Sequence, residues 1–395
     1  MREIKFFIGT LSSGGAERVV SNLSLNMSAD IEKEIILFGS NAKIEYPYKG
    51  NLIFLDKLSH KNIFYKLFSF MSRVRELKKI KKQNKDVPLI SFLEYPNLIN
   101  LLTYKQGKTI ISVRNHMSSK HKKGLKSFFW NKTIKYFYVK ADQIIAVSEE
   151  IKNDLVKNYS IPEKKVKVIY NSYSINEIEE MSKESIEEKY EHIFSKPVVI
   201  TAGRLNRQKG QWHLIRAFRE VKEKIPEANL VILGDGGLKE ELINLSRELG
   251  ILDDIYFLGF KNNPFKYIAR SKVFILSSFH EGFPNALTEA MVCGIPIVST
   301  DCLSGPREIL APKEFNKSNF SYELSLDRYG VLIPVCDGTI YGAGDSLTKE
   351  ELIMANALIK LLQDQEVWDY YSQKSRERVN DFDIKNLIQE WENLI

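Results

Sequence analysis

The chain reads as an α/β protein made of two doubly wound units, and three observations carry that reading. Short apolar runs of strand type alternate with helical patterns along the whole length, as in parallel sheets with helical crossovers. The alternation pauses at a polar stretch rich in Glu and Ser, residues 171–196, and then starts again. The chain's 395 residues also exceed one hydrophobic core, since single cores stop growing at about 250–300 residues.

The first series opens with IKFFIG (4–9), which leads through a Gly-Gly loop into a helical pattern from Ala16. EIILFG (34–39), LIFL (52–55), PLISFL (88–93), KTIISVR (108–114) and QIIAVS (143–148) follow as strands. The second series begins with PVVITAGRL (197–205) and continues with LVILGDG (230–236), IYFLGF (255–260), VFILSS (273–278), PIVST (296–300) and YGVLIP (329–334). A helix is expected over Trp212–Lys222. The end, 349–395, has a helical pattern in which Trp368 and Trp391 are packing anchors. The domains are therefore expected at 1–175 and 176–375, with 171–196 as the connection.

Hydrophobic content of 44% and charged content of 27% are those of a soluble globular protein. The three cysteines, Cys293, Cys302 and Cys336, have no metal-ligand spacing and cannot all pair, which fits a reducing, cytoplasmic setting. The beginning, MREIKFFIGTLSSGG, lacks a signal-peptide apolar core, and no run reaches the roughly 18–20 apolar residues of a spanning helix. The net charge of +7 is unevenly spread. Residues 1–175 carry 31 Lys and Arg against 15 Asp and Glu, a balance of +16, and the rest carry 26 against 35, a balance of −9. Much of the excess lies in 61–85 and in 116–140, where seven Lys and no acid are mixed with Phe128, Phe129, Trp130, Tyr136, Phe137 and Tyr138. Such a mixture suits an anionic bilayer surface, nucleic acid, or helices with solvated lysines and buried aromatics. No nucleic-acid motif accompanies the charge.

Four loops at strand ends collect the chemistry, which is where open α/β sheets bind ligands. TLSSGGAERV (10–19) offers Gly14 and Gly15 for close backbone approach, with Glu17 and Arg18 at the helix start. VRNH (113–116) puts Arg114 and His116 just after a strand. GRLNRQKG (203–210) carries Arg204 and Lys209, a cationic pair able to hold a diphosphate and the charge it gains on leaving. The fourth, HEGFPNALTEAMVCGIP (280–296), sets Glu281 and Glu289 eight residues apart across a short buried helix. Pro284 suits its first turn, Gly294 its end, and its N-terminal amides favour an anion beside Glu281. Hydroxyl, diphosphate and second hydroxyl in line is the order of groups in a nucleotide-sugar. LGDGG (233–237) adds a glycine turn that says little alone.

Taken together these loops resemble glycosyltransferase family 4, of the GT-B fold, over nearly the whole chain. GGAERV at 14–19, GRLNRQKG at 203–210, LVILGDGGLKEEL at 230–242, FLGF with NP at 257–264, and SSFHEGFPNALTEAMVCGIPIVSTDCLSGPREIL at 277–310 carry the resemblance. GGAER and TDCxSGPxEI are similar to the branch that builds bacterial cell-surface glycans on lipid carriers. The resemblance implies two Rossmann-like domains facing a central cleft, with residues 376–395 returning to the first domain. It implies an acceptor-binding first domain and a nucleotide-sugar-binding second domain. Arg204 and Lys209 match the diphosphate-binding pair. Glu281 matches the Glu that holds donor-sugar hydroxyls, and Glu289 the one that accepts from the ribose diol. Gly282, Phe283, Pro284 and Asn285 match the donor loop, with the Phe283 and Asn285 amides near sugar and β-phosphate. Gly15 matches the glycine facing the diphosphate from the first domain, and His116 resembles a His beside acceptor and donor, so that Glu281, His116, Arg204 and Lys209 form the catalytic set. Glu17, Arg18, Arg114 and His116 form the acceptor side, with Arg18 and Arg114 placed to meet a lipid-linked diphosphate. A UDP-linked hexose or N-acetylhexosamine is the implied donor, a lipid-linked saccharide the acceptor, and the configuration is retained. No metal or other cofactor is expected, and the partner surface is the inner face of an anionic membrane rather than nucleic acid.

A glutamate pair also serves glycoside hydrolysis, with carboxyls about 5–5.5 or 6.5–9.5 Å apart. Eight residues of helix rise about 12 Å, which disfavours it. A metal-dependent transferase of the other common fold needs Asp-x-Asp after an early strand, and here Asp381-Phe382-Asp383 lies near the end of the chain. An epimerase of the same fold and a silent nucleotide-sugar-binding protein remain as alternatives, since fold alone does not fix function.

Overall fold

The computed structural model describes residues 2–12, 14–56, 63–120, 125–313 and 323–395, without the side chains of 56, 63–66, 120 and 125–129. It divides into two compact units, Met1–Tyr173 with Phe382–Ile395, and Ser174–Asp381. The second crossing falls at 381 rather than 376 because the helix Gln365–Val379 still packs on the second unit. Ser375 Oγ donates to Ile295 O at 2.9 Å and Arg378 Nε to Ile309 O at 2.9 Å.

In the first unit β1 (Arg2–Phe7), β2 (Ile31–Gly39), β3 (Asn51–Asp56), β4 (Leu89–Phe92), β5 (Thr109–Val113), β6 (Gln143–Ala146) and β7 (Val166–Val168) form one parallel sheet. Its order is β3-β2-β1-β4-β5-β6-β7. Successive residues of a strand face opposite sides, and that period divides the core. Phe6, Ile35 and Leu37 join the cluster that contains Val20, Leu23 and Trp391, while Phe7 and Ile36 join Leu77, Leu89 and Ile99 on the other side. The helix Ile384–Glu392 completes the first cluster: Trp391 is 1% exposed and stacks on Phe92 with centroids 6.0 Å apart. Both crossings are tied together, Tyr173 N donating to Phe382 O at 3.0 Å and Ile384 N to Tyr173 O at 2.9 Å.

The second unit repeats the plan with β8 (Val198–Ala202), β9 (Asn229–Leu233), β10 (Ile255–Gly259), β11 (Val273–Leu276), β12 (Ile297–Thr300), β13 (Ser325–Leu326) and β14 (Val331–Ile333). The order is β10-β9-β8-β11-β12-β14-β13, parallel except for the β13–β14 pair. Helices Gln211–Lys224 and Lys349–Gln363 bury Leu214, Phe218, Val221, Met354, Leu358 and Leu361 against it. A capping box at Thr348 and Glu351 starts the latter, satisfying two amides reciprocally.

Two strands escape the sequence pattern, β7 with its central Lys167 and the two-residue β13, because neither has an apolar run to announce it. The polar stretch 171–196 is not a bare connection. It holds the helices Ile175–Lys183 and Glu188–Phe194, seated through Ile175, Ile178 and Ile193. Trp368 does anchor its helix, its Nε1 donating to Lys272 O at 2.7 Å. Asp383 of the Asp-x-Asp caps the last helix by accepting from Lys385 N at 3.0 Å, and Asp381 pairs with Arg378, so both carboxylates have structural work. In each sheet the order reverses between two central strands, β1 and β4 in one, β8 and β11 in the other. The loops that follow those strands diverge there and leave a crevice for a ligand.

Candidate functional site

In the second unit the reversal point brings two of the expected loops together. One follows β8 and carries Gly203 to Lys209, and the other follows β11 and carries Ser277 to Pro284. They are laced by Phe279 N to Gln208 O at 2.9 Å, Gln208 Nε2 to His280 O at 2.8 Å and Ser277 Oγ to Lys209 O at 2.7 Å. On this base Lys209 Nζ meets Glu281 Oε1 at 2.7 Å, the side chains 19% and 10% exposed. Charge-assisted bonds of this kind are among the stronger ones. Arg204 is exposed, and Gln211 Nε2 holds its backbone carbonyl at 3.1 Å.

The glycine turn after β9 has a part here that the sequence left unassigned. Gly234, at φ +124°, lies against the other loop, and a Cβ on it would stand 2.0 Å from Gly203 O. Leu205 N donates to Asp235 O at 3.0 Å and Leu238 N to Leu205 O at 3.1 Å. This turn thus supports the backbone on both sides of Arg204. Its Gly-Asp-Gly spelling is the signal that could have been read.

The helix that follows Glu281 is Asn285–Val292, and Pro284 caps it at φ −76°, ψ 97° instead of occupying its first turn. Glu281 therefore stands in the loop, four residues before the helix, so the expected helical rise between the glutamates does not apply. Glu289 sits in the second turn and is 5% exposed. The two carboxylates have different settings, one on a cation at a loop, the other buried on a helix. Among the described residues no group of three or more His, Cys, Asp and Glu is placed to hold a metal ion.

In the first unit Gly15 opens the helix Gly15–Asn26 after β1, with Glu17 in its first turn. The Arg18 guanidinium lies over Tyr46, 5.7 Å from the ring centre. Arg114 follows β5. It donates to Asn171 Oδ1, reaches Ser112 Oγ at 3.4 Å and lies 6.0 Å from the centre of Phe92. Burial lowers its pKa to about 10, against smaller upward pulls from Tyr173 and Glu17. His116, 8% exposed, meets a cluster that no local sequence signal announces. Its Nε2 is 3.8 Å from Glu150 and its Nδ1 3.7 Å from Asp154, both on the helix Glu149–Tyr159. Asp154 accepts from Met117 N at 2.8 Å and Ser118 N at 3.1 Å, which fixes the loop. Ser119 N donates to His116 Nδ1 at 3.3 Å, leaving the proton of a neutral ring on Nε2. His116 thus has a carboxylate-rich backing, while Arg114, two residues earlier in the loop, rests on Asn171 and Ser112. The basic-aromatic stretch around them, 116–140, lies partly outside the described residues.

Two nucleotide-fold units with ligand loops at their reversal points form the GT-B architecture, and a solved structure agrees. HepE of Anabaena, in complex with UDP and glucose, superposes with a TM-score of 0.75 at 18% identity, over 100% of this chain and 99% of that one. The family model "Glycosyltransferase Family 4" matches residues 13–177 and "Glycosyl transferases group 1" matches 182–322. An uncharacterized glycosyltransferase of Methanocaldococcus jannaschii is 35% identical over 93% of this chain and 89% of its own length. The N-acetylgalactosamine-N,N'-diacetylbacillosaminyl-diphospho-undecaprenol 4-alpha-N-acetylgalactosaminyltransferase of Campylobacter jejuni is 31% identical over 97% of this chain and 96% of its own. The chain belongs to the family 4 glycosyltransferases, and is a nucleotide-sugar-dependent enzyme of that family.

Proposed function

We propose that the enzyme moves a hexose or N-acetylhexosamine from a UDP-sugar to a hydroxyl of a lipid-linked saccharide, with retention of configuration. The observation that carries this is the Lys209–Glu281 contact across two loops at the sheet's reversal point, followed directly by a helix bearing buried Glu289. Glu281 holds sugar hydroxyls, Lys209 and Arg204 hold the diphosphate, and Glu289 takes the ribose diol. The leaving diphosphate is stabilised by those cations and by the amides at the start of Asn285–Val292. The acceptor oxygen bonds to the anomeric carbon as the bond to the β-phosphate oxygen breaks, and the departing phosphate takes the acceptor proton. Gly15, Glu17, Arg18, Arg114 and His116 serve the acceptor side. Arg114, whose guanidinium donates to the neutral amide of Asn171, suits an anion such as a lipid-linked diphosphate. The Campylobacter relative, whose name gives a diphospho-undecaprenol acceptor, supports that choice.

The acceptor's lipid places the enzyme on the cytoplasmic face of an anionic membrane. Support comes from the helix Ile63–Gln83, where Leu67, Phe68 and Met71 are 64%, 59% and 47% exposed. Arg75, Lys78, Lys79 and Lys82 are exposed further along it. Apolar anchors beside cations suit a bilayer interface, and no described helix is long and apolar enough to cross one. The donor assignment is tested by calorimetry with UDP. Replacing Arg204 and Lys209 together by Ala should abolish binding, and unchanged affinity would remove both from the diphosphate.

A further inference from the structure

The segment after β12 packs behind the donor loop. Ser304, 2% exposed, donates from Oγ to Gly282 O at 2.7 Å. Gly305 stands at φ +92°, a conformation that disfavours any side chain. A Cβ there would lie 2.5 Å from Pro284 Cδ and 3.1 Å from Gly282 O. The segment is itself fastened at both ends. Asp301 N donates to Ile333 O at 2.8 Å, and Asp301 takes Arg307 Nε at 2.9 Å.

The pinned carbonyl has a geometric effect on its neighbour. Gly282 O and the N–H of Phe283 belong to one planar trans peptide, so they point in opposite directions. Holding the oxygen on a buried hydroxyl turns the Phe283 amide away from Ser304. Gln208 fixes the 280–281 peptide through His280 O at 2.8 Å, and Lys209 fixes the Glu281 carboxylate at 2.7 Å. Ser304, through its hydroxyl, and Gly305, through its close packing on Pro284, brace the peptide between Glu281 and the helix.

We propose that Ser304 and Gly305 are positioning residues for the donor: they set the 282–283 peptide so that its amide faces the β-phosphate. This rests on the donor reading above. It separates the two halves of the nucleotide. A misaligned peptide weakens the hold on the β-phosphate but leaves the ribose contact at Glu289 intact. Ser304→Ala should therefore weaken UDP binding by about tenfold or more, the loss of one good polar contact, while UMP binding stays within about twofold.

The experiment is calorimetry with UDP and UMP on wild type, Ser304→Ala, Gly305→Ala and Lys209→Ala, with melting curves to confirm that each is folded. Expected is a fall in the UDP-to-UMP affinity ratio for both brace variants. A merely structural role would lower the melting temperature and leave the ratio unchanged, which overturns the proposal. If Ser304→Ala does not fold, Gly305→Ala, which displaces Pro284 while keeping the hydroxyl, decides by the same ratio. Normal UDP binding by the brace variants with loss in Lys209→Ala overturns the brace and leaves the donor reading standing. Equal UDP affinity in wild type and Lys209→Ala sinks the donor reading, and the brace with it.

Discussion

Lys81 offers a quantitative test of how the first unit holds its basic helix. Its ammonium is 2% exposed and donates to Asn100 Oδ1 at 2.9 Å and Thr109 Oγ1 at 2.5 Å, both neutral acceptors. Burial lowers its pKa to about 7 from 10.5, against a weaker upward pull from Asp142. A lysine with a depressed folded value binds fewer protons folded than unfolded, so stability rises with pH between the two values. The penalty is full below the lower value and gone above the higher. Integrating proton linkage from pH 7 to pH 9 over these values gives a gain of about 2 kcal/mol. Lys81→Met keeps the stem and removes the titration. Urea unfolding of both proteins at pH 7, 8 and 9, read for the transition of the first unit, cancels the other titrating groups in the difference. Wild type should gain about 2 kcal/mol on the variant over that range. A difference that stays flat refutes the account of Lys81 as a buried amine titrating near neutrality.

Other perturbations probe the rest. Glu281→Gln should cut turnover by about 100-fold or more while the melting temperature stays near wild type. Near-normal turnover would take Glu281 off the donor sugar. Trp391→Ala should destabilise the first unit by about 3–5 kcal/mol in denaturant unfolding, and a loss under 1 kcal/mol would show that the last helix adds little. Replacing Leu67, Phe68 and Met71 with Ser should reduce flotation with vesicles rich in phosphatidylserine. If wild type does not float at all, the membrane reading is wrong.

Long apolar strands were legible because a parallel sheet buries both faces and spells each strand as a run, as in PVVITA. The strand around Lys167 was not, since three residues with a central lysine carry no period. The helices within 171–196 were hidden by their Glu and Ser content, having only one or two buried isoleucines each. At the site the loops could be read, but not which of their residues touch. Lys209 and Glu281 are 72 residues apart, and nothing local in either loop names its partner. The backing of His116 by Glu150 and Asp154 was invisible for the same reason. Glu281 lies off the helix because Pro284, at φ −76° and ψ 97°, is the cap and the helix begins only at Asn285. The SGP turn at 304–306 was visible as a motif. Its use was not, because that depends on what lies in front of it.

The pairing of Tyr173 with Phe382 and Ile384 bears on the order in which the protein is made. Translation delivers the first unit's strands before the second unit, yet the helix that carries Trp391 onto Phe92 follows the whole of the second unit. The second unit, contiguous from Ser174 to Asp381, has all its strands earlier. The half synthesised first is therefore completed after the other, and the part of its sheet around Phe92 lacks its cover until Trp391 has been added. A nascent chain stalled before residue 382 would present that part of the sheet to its neighbours.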